Sequence, residues 1–202
     1  MACEGEDGGN GDDARPLAVI LAAGAGRRIG GGKALVPLAG RPLAAHVVER
    51  LAPQVSRIAL NAAEAPGLER LGLPLLPDAR PGLGPLSGIL AAMRWAGSQG
   101  AARVLTVAVD TPFLPDDLAR RLAAAGARAA FAETADGAHP TTGLWSVDLA
   151  GALDAALFQG TRKVRDWTRA VGAQTVRFDD ADAFFNVNTP EDLRIAEARL
   201  KA

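Results

Sequence analysis

The stretch LAVILAAGAGRRIGGGKALVPL, residues 17–38, decides how this chain is read. It opens with Leu17, Ala18, Val19, Ile20, Leu21 and Ala22, a run apolar and branched enough to be a strand buried on both faces. Glycines and cations follow. Gly24, Gly26, Gly30, Gly31 and Gly32 let backbone come close to a ligand, and Arg27, Arg28 and Lys33 charge the same loop. A buried strand delivering a cationic, glycine-rich loop is a phosphate-binding arrangement. Two familiar glycine motifs fail by counting. A Walker A loop needs Gly five places before Gly32 and Ser or Thr after Lys33, where Arg27 and Ala34 stand. A dinucleotide fingerprint drawn through Gly24 and Gly26 finds its third glycine one place late, at Gly30, and the next strand ends on Asn61 without a ribose-binding acid.

The totals bound what surrounds this loop. The 202 residues suit one domain with a central sheet and helices on both sides. No stretch approaches the roughly 18 apolar residues of a membrane span. Residues 1–14 are glycine-rich and acidic (Glu4, Glu6, Asp7, Asp12, Asp13), with neither the basic start nor the apolar core of a secretory signal. They read as a disordered acidic tail, leaving residues 15–202 as the functional domain. The single cysteine, Cys3, lies in that tail, which excludes an internal disulfide or a cysteine metal cluster and suits a reducing cytoplasm. Without the tail, 22 basic residues face 18 acidic ones, a mild excess that suits a small anionic substrate. A nucleic-acid surface calls for a stronger basic stripe interleaved with aromatics, and the chain has no tyrosine.

Further along, residues 42–51 place Leu43, Val47 and Leu51 on one helical stripe with Val48 beside them, and His46 off it as a solvated residue. Residues 56–60 read as a second strand ending at Asn61, which either contacts a ligand or starts a turn. Residues 73–76 form a short third strand closed by Pro77 and Asp78. The sequence ARPGLGPLSG, residues 79–88, then opens a helix over 86–97 whose Leu86, Ile89, Leu90 and Met93 share a face. Residues 104–109 are the cleanest strand, and it stops on Asp110. An unpaired buried carboxylate is too costly to keep ionised, so Asp110 should meet a cation, the alternative being that it caps the next turn. Asp116 and Asp117 follow in the first turn of a helix, where they read as caps.

Residues 128–133 are a further strand, and HPTTGLW, residues 139–145, reads as a loop running into another. Arg162 and Lys163 stand at a helix start, and residues 174–178 form a late strand. In FFNVNTPEDL, residues 184–193, Thr189 is an N-cap, Pro190 the first helical residue and Asp192 the capping-box acid. That accounts for the end of the string but not for Asn186 and Asn188.

The pattern L-A-x-G-x-x-x-R-[IM]-G-x-x-K, spelled by Leu21, Ala22, Gly24, Arg28, Ile29, Gly30 and Lys33, resembles the signature loop of nucleotidyltransferases of the nucleotide-sugar and molybdenum-cofactor type. Four further segments follow in that family's order: G-P-L-x-G from Gly84, D-T-P-F-L from Asp110, H-P-x-x-x-L-W from His139 and N-V-N-T-P-E-D-L from Asn186. Together they resemble the MobA-type molybdenum cofactor guanylyltransferases. The resemblance implies an α/β chain with the three-layer α/β/α, Rossmann-like fold of the nucleotide-diphospho-sugar transferases and a mostly parallel central sheet. It implies transfer of GMP from GTP to molybdopterin with release of pyrophosphate.

Residue by residue, the resemblance implies a nucleotide site at Leu21, Ala22, Ala23, Gly24, Lys33, Asn61, Asp78, Gly84 and Asp110. Arg28, Lys33 and Asp110 carry the chemistry, and Mg²⁺ sits on Asp110 with Asn188. It also turns His139 toward a substrate phosphate and the Arg162–Lys163 region toward the pterin. The loop from Asp78 to Gly84 is one residue shorter than the family pattern. Leu21-Ala22-Ala23-Gly24 departs from the L-A-G-G of guanylyl enzymes and matches the form common in cytidylyl and sugar enzymes, so a molybdopterin cytidylyltransferase using CTP stays open. A non-catalytic nucleotide- or cofactor-binding adaptor is the alternative from another class, and retention of both Lys33 and Asp110 argues for an enzyme. The expected partners are GTP and molybdopterin, with molybdoenzyme apo-proteins or their chaperones beyond them, for a cytoplasmic monomer that binds neither nucleic acid nor membrane.

Overall fold

The computed structural model describes residues 15–22, 32–63 and 67–201. The acidic tail and the expected site residues Ala23, Gly24 and Arg28 lie outside the described residues. At the centre is β1 (Leu17–Leu21), with Ala18, Val19 and Ile20 fully buried. It is parallel to β4 (Arg57–Asn61) on one side and to β6 (Arg103–Ala108) on the other, with Leu17 opposite both Arg57 and Val104. Beyond β4 lies β5 (Leu75–Leu76), and beyond β6 come β8 (Gly137–Ser146), β7 (Ala129–Thr134) and β9 (Gln174–Arg177). Only β8 runs antiparallel to its neighbours in this seven-stranded sheet. A separate hairpin of β2 (Pro37–Leu38) and β3 (Arg41–Pro42) follows the opening loop. Because the chain leaves β1 toward β4 on one side and reaches β6 on the other, the carboxyl ends of β1 and β6 flank a topological switch point, where open α/β sheets bind ligands.

Alternation along the strands separates two cores. Ala18, Ile20, Leu60, Leu105 and Val107 face α1 (Leu43–Leu51) and α3 (Leu118–Ala124). Leu17, Val19, Ala59 and Val104 face α2 (Pro85–Ser98), α4 (Ala150–Phe158) and α5 (Val164–Ala170). The result is three layers, α/β/α. A third, smaller cluster packs Leu38 and Leu43 against Val187 and, from α6 (Pro190–Arg199), Ala196. It brings the late segment of the chain to the mouth of the sheet.

Three expectations are corrected. His46 is buried rather than solvated; its Nε2 lies 2.9 Å from the Leu38 carbonyl, which can only accept, so the imidazole ties α1 to the hairpin. Asp116 and Asp117 do not cap α3: Asp117 pairs with Arg120, and the Ala119 amide donates instead to Gln54 Oε1 at 3.0 Å. The segment from His139 to Trp145 is no loop; it lies wholly within β8. The β7–β8 ladder jumps from Phe131 opposite Gly143 to Ala132 opposite His139, so residues 140–142 bulge out of register. Pro140 has no N–H to offer a ladder, which is why the break falls there. Besides these, α4 is a helix without a sequence signal, because AGALDAALF has apolar side chains on every face and no period to read.

Candidate active site

A cleft of about 420 Å³ lies at the carboxyl ends of β1, β4 and β6. Of the residues expected to bind nucleotide, Leu21, Lys33, Asn61, Asp78, Gly84 and Asp110 all line it, although they come from five segments. A larger cavity of about 550 Å³ lies beside Arg15 and Pro16, ahead of β1, and none of these residues lines it.

Asp110 closely follows β6, and Lys33 opens a short 3-10 turn after the glycine loop. Lys33 Nζ donates to Asp110 Oδ2 at 2.5 Å and to Asn188 Oδ1 at 2.6 Å. Asp110 therefore has the cation its position demands. The Lys33 and Asp110 side chains are 12% and 18% exposed, so the ion pair is only partly screened by water. Asn188 arrives by main-chain bonding: the Val187 amide donates to the Asp110 carbonyl at 2.8 Å, docking the N-V-N segment onto the end of β6. The Asn188 and Thr189 amides then donate to Asp192 Oδ2 at 2.9 and 2.8 Å, while Thr189 Oγ1 accepts from the Asp192 amide. Those amides, with Lys33 nearby, hold the Asp192 carboxyl below the usual carboxylate range. This capping box anchors α6 immediately after Asn188.

On the other side of the cleft, Asn61 Nδ2 donates to the Leu76 carbonyl at 3.0 Å and to Asp78 Oδ1 at 3.1 Å. Asn61 is buried and lines the cleft rather than starting a solvent turn. The helix α2 enters here. Gly84 takes φ +73° and ψ −162°, a conformation closed to other residues, and Gly88 packs so tightly that a Cβ there would sit 2.2 Å from Asn61 Oδ1. Both glycines of G-P-L-x-G are thereby explained. Ala22 lies one step back, its amide donating to the Asn61 carbonyl at 2.8 Å.

The structure also supplies cleft residues to which the sequence assigns no role. Thr141 reaches the cleft because of the β8 bulge, with its carbonyl accepting from Thr106 Oγ1 at 2.9 Å; the available signal is a proline inside a strand. Gly82 and Asn186 line it as well. His139 is used differently from expectation. Its Nε2 lies 3.0 Å from Thr134 Oγ1, its ring stacks on Phe184 with centroids 4.7 Å apart, and burial pushes its pKa down. A neutral, packed imidazole is a poor phosphate ligand. Arg162 donates to the carbonyls of Leu157 and Thr161, closing the end of α4.

Asp110 Oδ2 and Asn188 Oδ1 converge on one cationic atom, and Mg²⁺ is typically held by one or two protein oxygens together with substrate phosphates and water. The pair fits such an ion. No group of three or more His, Cys, Asp or Glu side chains able to cage a metal exists among the described residues, so oxygens of substrate and water would have to complete the coordination. No helix among the described residues is long and apolar enough to cross a membrane.

The profile of the MobA-like NTP transferase domain matches residues 18–176. A protein of Cereibacter sphaeroides named molybdenum cofactor guanylyltransferase is 48% identical over 190 residues, covering 93% of this chain and 98% of its own. One of the same name from Rhodobacter capsulatus is 48% identical over 191 residues, covering 93% and 97%. The crystal structure of molybdopterin-guanine dinucleotide biosynthesis protein A from Archaeoglobus fulgidus superposes with TM-score 0.73 at 26% identity, over 92% of this chain and 98% of that one. The 2-C-methyl-D-erythritol 4-phosphate cytidylyltransferase of Thermus thermophilus shares the fold, with TM-score 0.66 at 20% identity over 91% and 98%.

Proposed function

The chain belongs to the MobA-like NTP transferase family and is a nucleotidyltransferase, and from that premise we propose that it transfers GMP from GTP to molybdopterin with release of pyrophosphate. One observation carries the reading: Asp110 and Asn188 close on the Lys33 ammonium at 2.5 and 2.6 Å, beside a cleft shared with Asn61, Asp78 and Gly84. Charge for a triphosphate and polar groups for a nucleoside meet in one place.

The residues divide the work. Asn61 and Asp78, already hydrogen-bonded to each other, present a donor and an acceptor to the nucleoside. Lys33 has three N–H donors, of which two are engaged, so the third is available to a β- or γ-phosphate oxygen. Arg28 is the second cation for the same phosphates. Asp110 and Asn188 would hold Mg²⁺, which would supply positive charge to offset that of the leaving pyrophosphate. The acceptor is a phosphate monoester with a second pKa of about 6, so it is largely dianionic and attacks the α-phosphorus without a protein base. The bond from the acceptor oxygen to that phosphorus forms as the α–β bridging bond breaks. Consistent with this economy, both histidines of the chain are engaged elsewhere, His46 with Leu38 and His139 with Thr134. Alignment and charge neutralisation are what the site must supply.

Residues 15–202 form the nucleotidyltransferase domain in this reading, working in the cytoplasm on small molecules. The test is incubation of the full-length protein with Mg²⁺, molybdopterin and labelled GTP or CTP, with products identified by mass. Molybdopterin guanine dinucleotide and pyrophosphate from GTP are expected. Product from CTP alone would move the chain to the cytidylyl branch, and tight nucleotide binding without any product would make it an adaptor.

A further inference from the structure

The loop of residues 78–84 carries Asp78, Gly82 and Gly84 into the cleft, yet its own composition gives it little to stand on. Gly82 and Gly84 both adopt positive φ, and none of the sheet's strands includes residues 77–84. Two side chains outside the cleft restrain it. Ser87, in the first turn of α2 and fully buried, uses one hydroxyl twice: it accepts from the Arg80 amide and donates to the Arg80 carbonyl, each at 2.7 Å. The Arg80 side chain then reaches away from the cleft, and its Nε donates to Asp154 Oδ1 at 2.7 Å. The other oxygen of Asp154 takes Arg94 Nη2 at 3.0 Å. One carboxylate on α4 thus joins the loop to α2 from outside.

The Asp154 side chain is 28% exposed, Arg80 39% and Arg94 50%. Ion pairs this wet contribute little to global folding, so a network of three charged side chains that ties one loop to two helices calls for a local explanation. The two guanidinium groups, Arg80 first, hold the Asp154 carboxyl below its ordinary range, so the ionised form persists across the working pH.

We propose that Asp154, with Ser87, is a positioning residue for the nucleotide: through Arg80 it fixes the loop that presents Asp78 opposite Asn61, and so sets affinity for GTP without taking part in the transfer. The proposal rests on the reading of the cleft as a GTP site. A loop held in its bound form saves the ordering cost of binding, which shows in KM and Kd rather than in kcat.

The experiment uses the full-length protein and four forms: wild type, Asp154→Ala, Ser87→Ala and the double variant, with Asp148→Ala as control because it removes another surface ion pair, that with Arg128. GTP affinity is measured by calorimetry without acceptor, and KM and kcat with molybdopterin. Amide exchange of the peptide spanning residues 78–84 is followed in parallel. Asp154→Ala is expected to weaken GTP binding about tenfold at nearly unchanged kcat, to speed exchange in that peptide alone, and to combine with Ser87→Ala less than multiplicatively, since both act on one loop. Asp148→Ala should match wild type. Unchanged GTP affinity in Asp154→Ala, or faster exchange with no change in affinity, overturns the positioning role while leaving the guanylyltransfer reading intact. A wild type that binds no GTP overturns both.

Discussion

Lys33 and Asp110 form an ion pair on one side of the cleft, and removing either one separates chemistry from folding. Asp110→Ala should lower kcat by at least about a hundredfold, the usual cost of deleting one preorganised electrostatic group. Its denaturation midpoint should stay near wild type, because Lys33 keeps Asn188 and water as partners. Turnover within a few-fold of wild type would take Asp110 out of the chemistry. Lys33→Ala should raise KM for GTP by about tenfold to a hundredfold, the worth of one charged hydrogen bond to phosphate. Steady-state kinetics that match wild type would discredit the loop's role. At this scale the sequence reveals a need more readily than its answer. Asp110 is legible as a charged residue in want of a cation, because a carboxylate ending a buried strand has few other ways to survive. That its partner is Lys33, 77 residues away, is not legible, since pairing across that distance is settled by how β1 and β6 lie side by side.

Among the elements, the contact of α2 with β4 yields a sharp prediction. Gly88→Ala drives a methyl into Asn61 Oδ1, which either turns Asn61 away from Asp78 or pushes the helix outward. Overpacking of this kind costs about 1–3 kcal/mol, so a lower unfolding midpoint and weakened GTP binding should appear together. A stable variant with wild-type GTP affinity would mean that the close approach is unimportant. The strands β1, β4 and β6 and the helix α2 can be placed from sequence almost to their ends, because burial on both faces or a single helical stripe leaves a simple pattern. The failures have physical reasons. A proline hides β8, whose bulge turns the same residue from a strand breaker into the means of bringing Thr141 to the cleft. Apolar side chains on every face hide α4, and the two-residue strands β2 and β3 are too short to carry any period.

For the molecule as a whole, the three-layer architecture is present as expected, and the carboxyl edge of its parallel strands is where six of the anticipated site residues gather. Its response to pH should owe something to a group outside the cleft. Burial holds the His139 imidazole below the ordinary histidine value, with Asp136 opposing the shift. The unfolded chain therefore takes up this proton at higher pH than the folded one. Stability is fully present above about pH 6.5 and falls as pH drops from there through the folded value. In thermal melts at about pH 7.5 and 5.5, His139→Gln should show a smaller loss of midpoint than wild type on acidification; an equal loss would assign the sensitivity to other groups. The main-chain bond from Val187 to Asp110 has a temporal corollary. Asn188, the proposed partner of Asp110 in holding Mg²⁺, is encoded after all seven strands of the sheet, so a ribosome must translate the whole sheet before Asn188 can meet Lys33. On the proposed role of Asn188, a nascent chain with every strand already paired should still be inert, and products of translation broken off at that stage should leave the cell's nucleotide unspent.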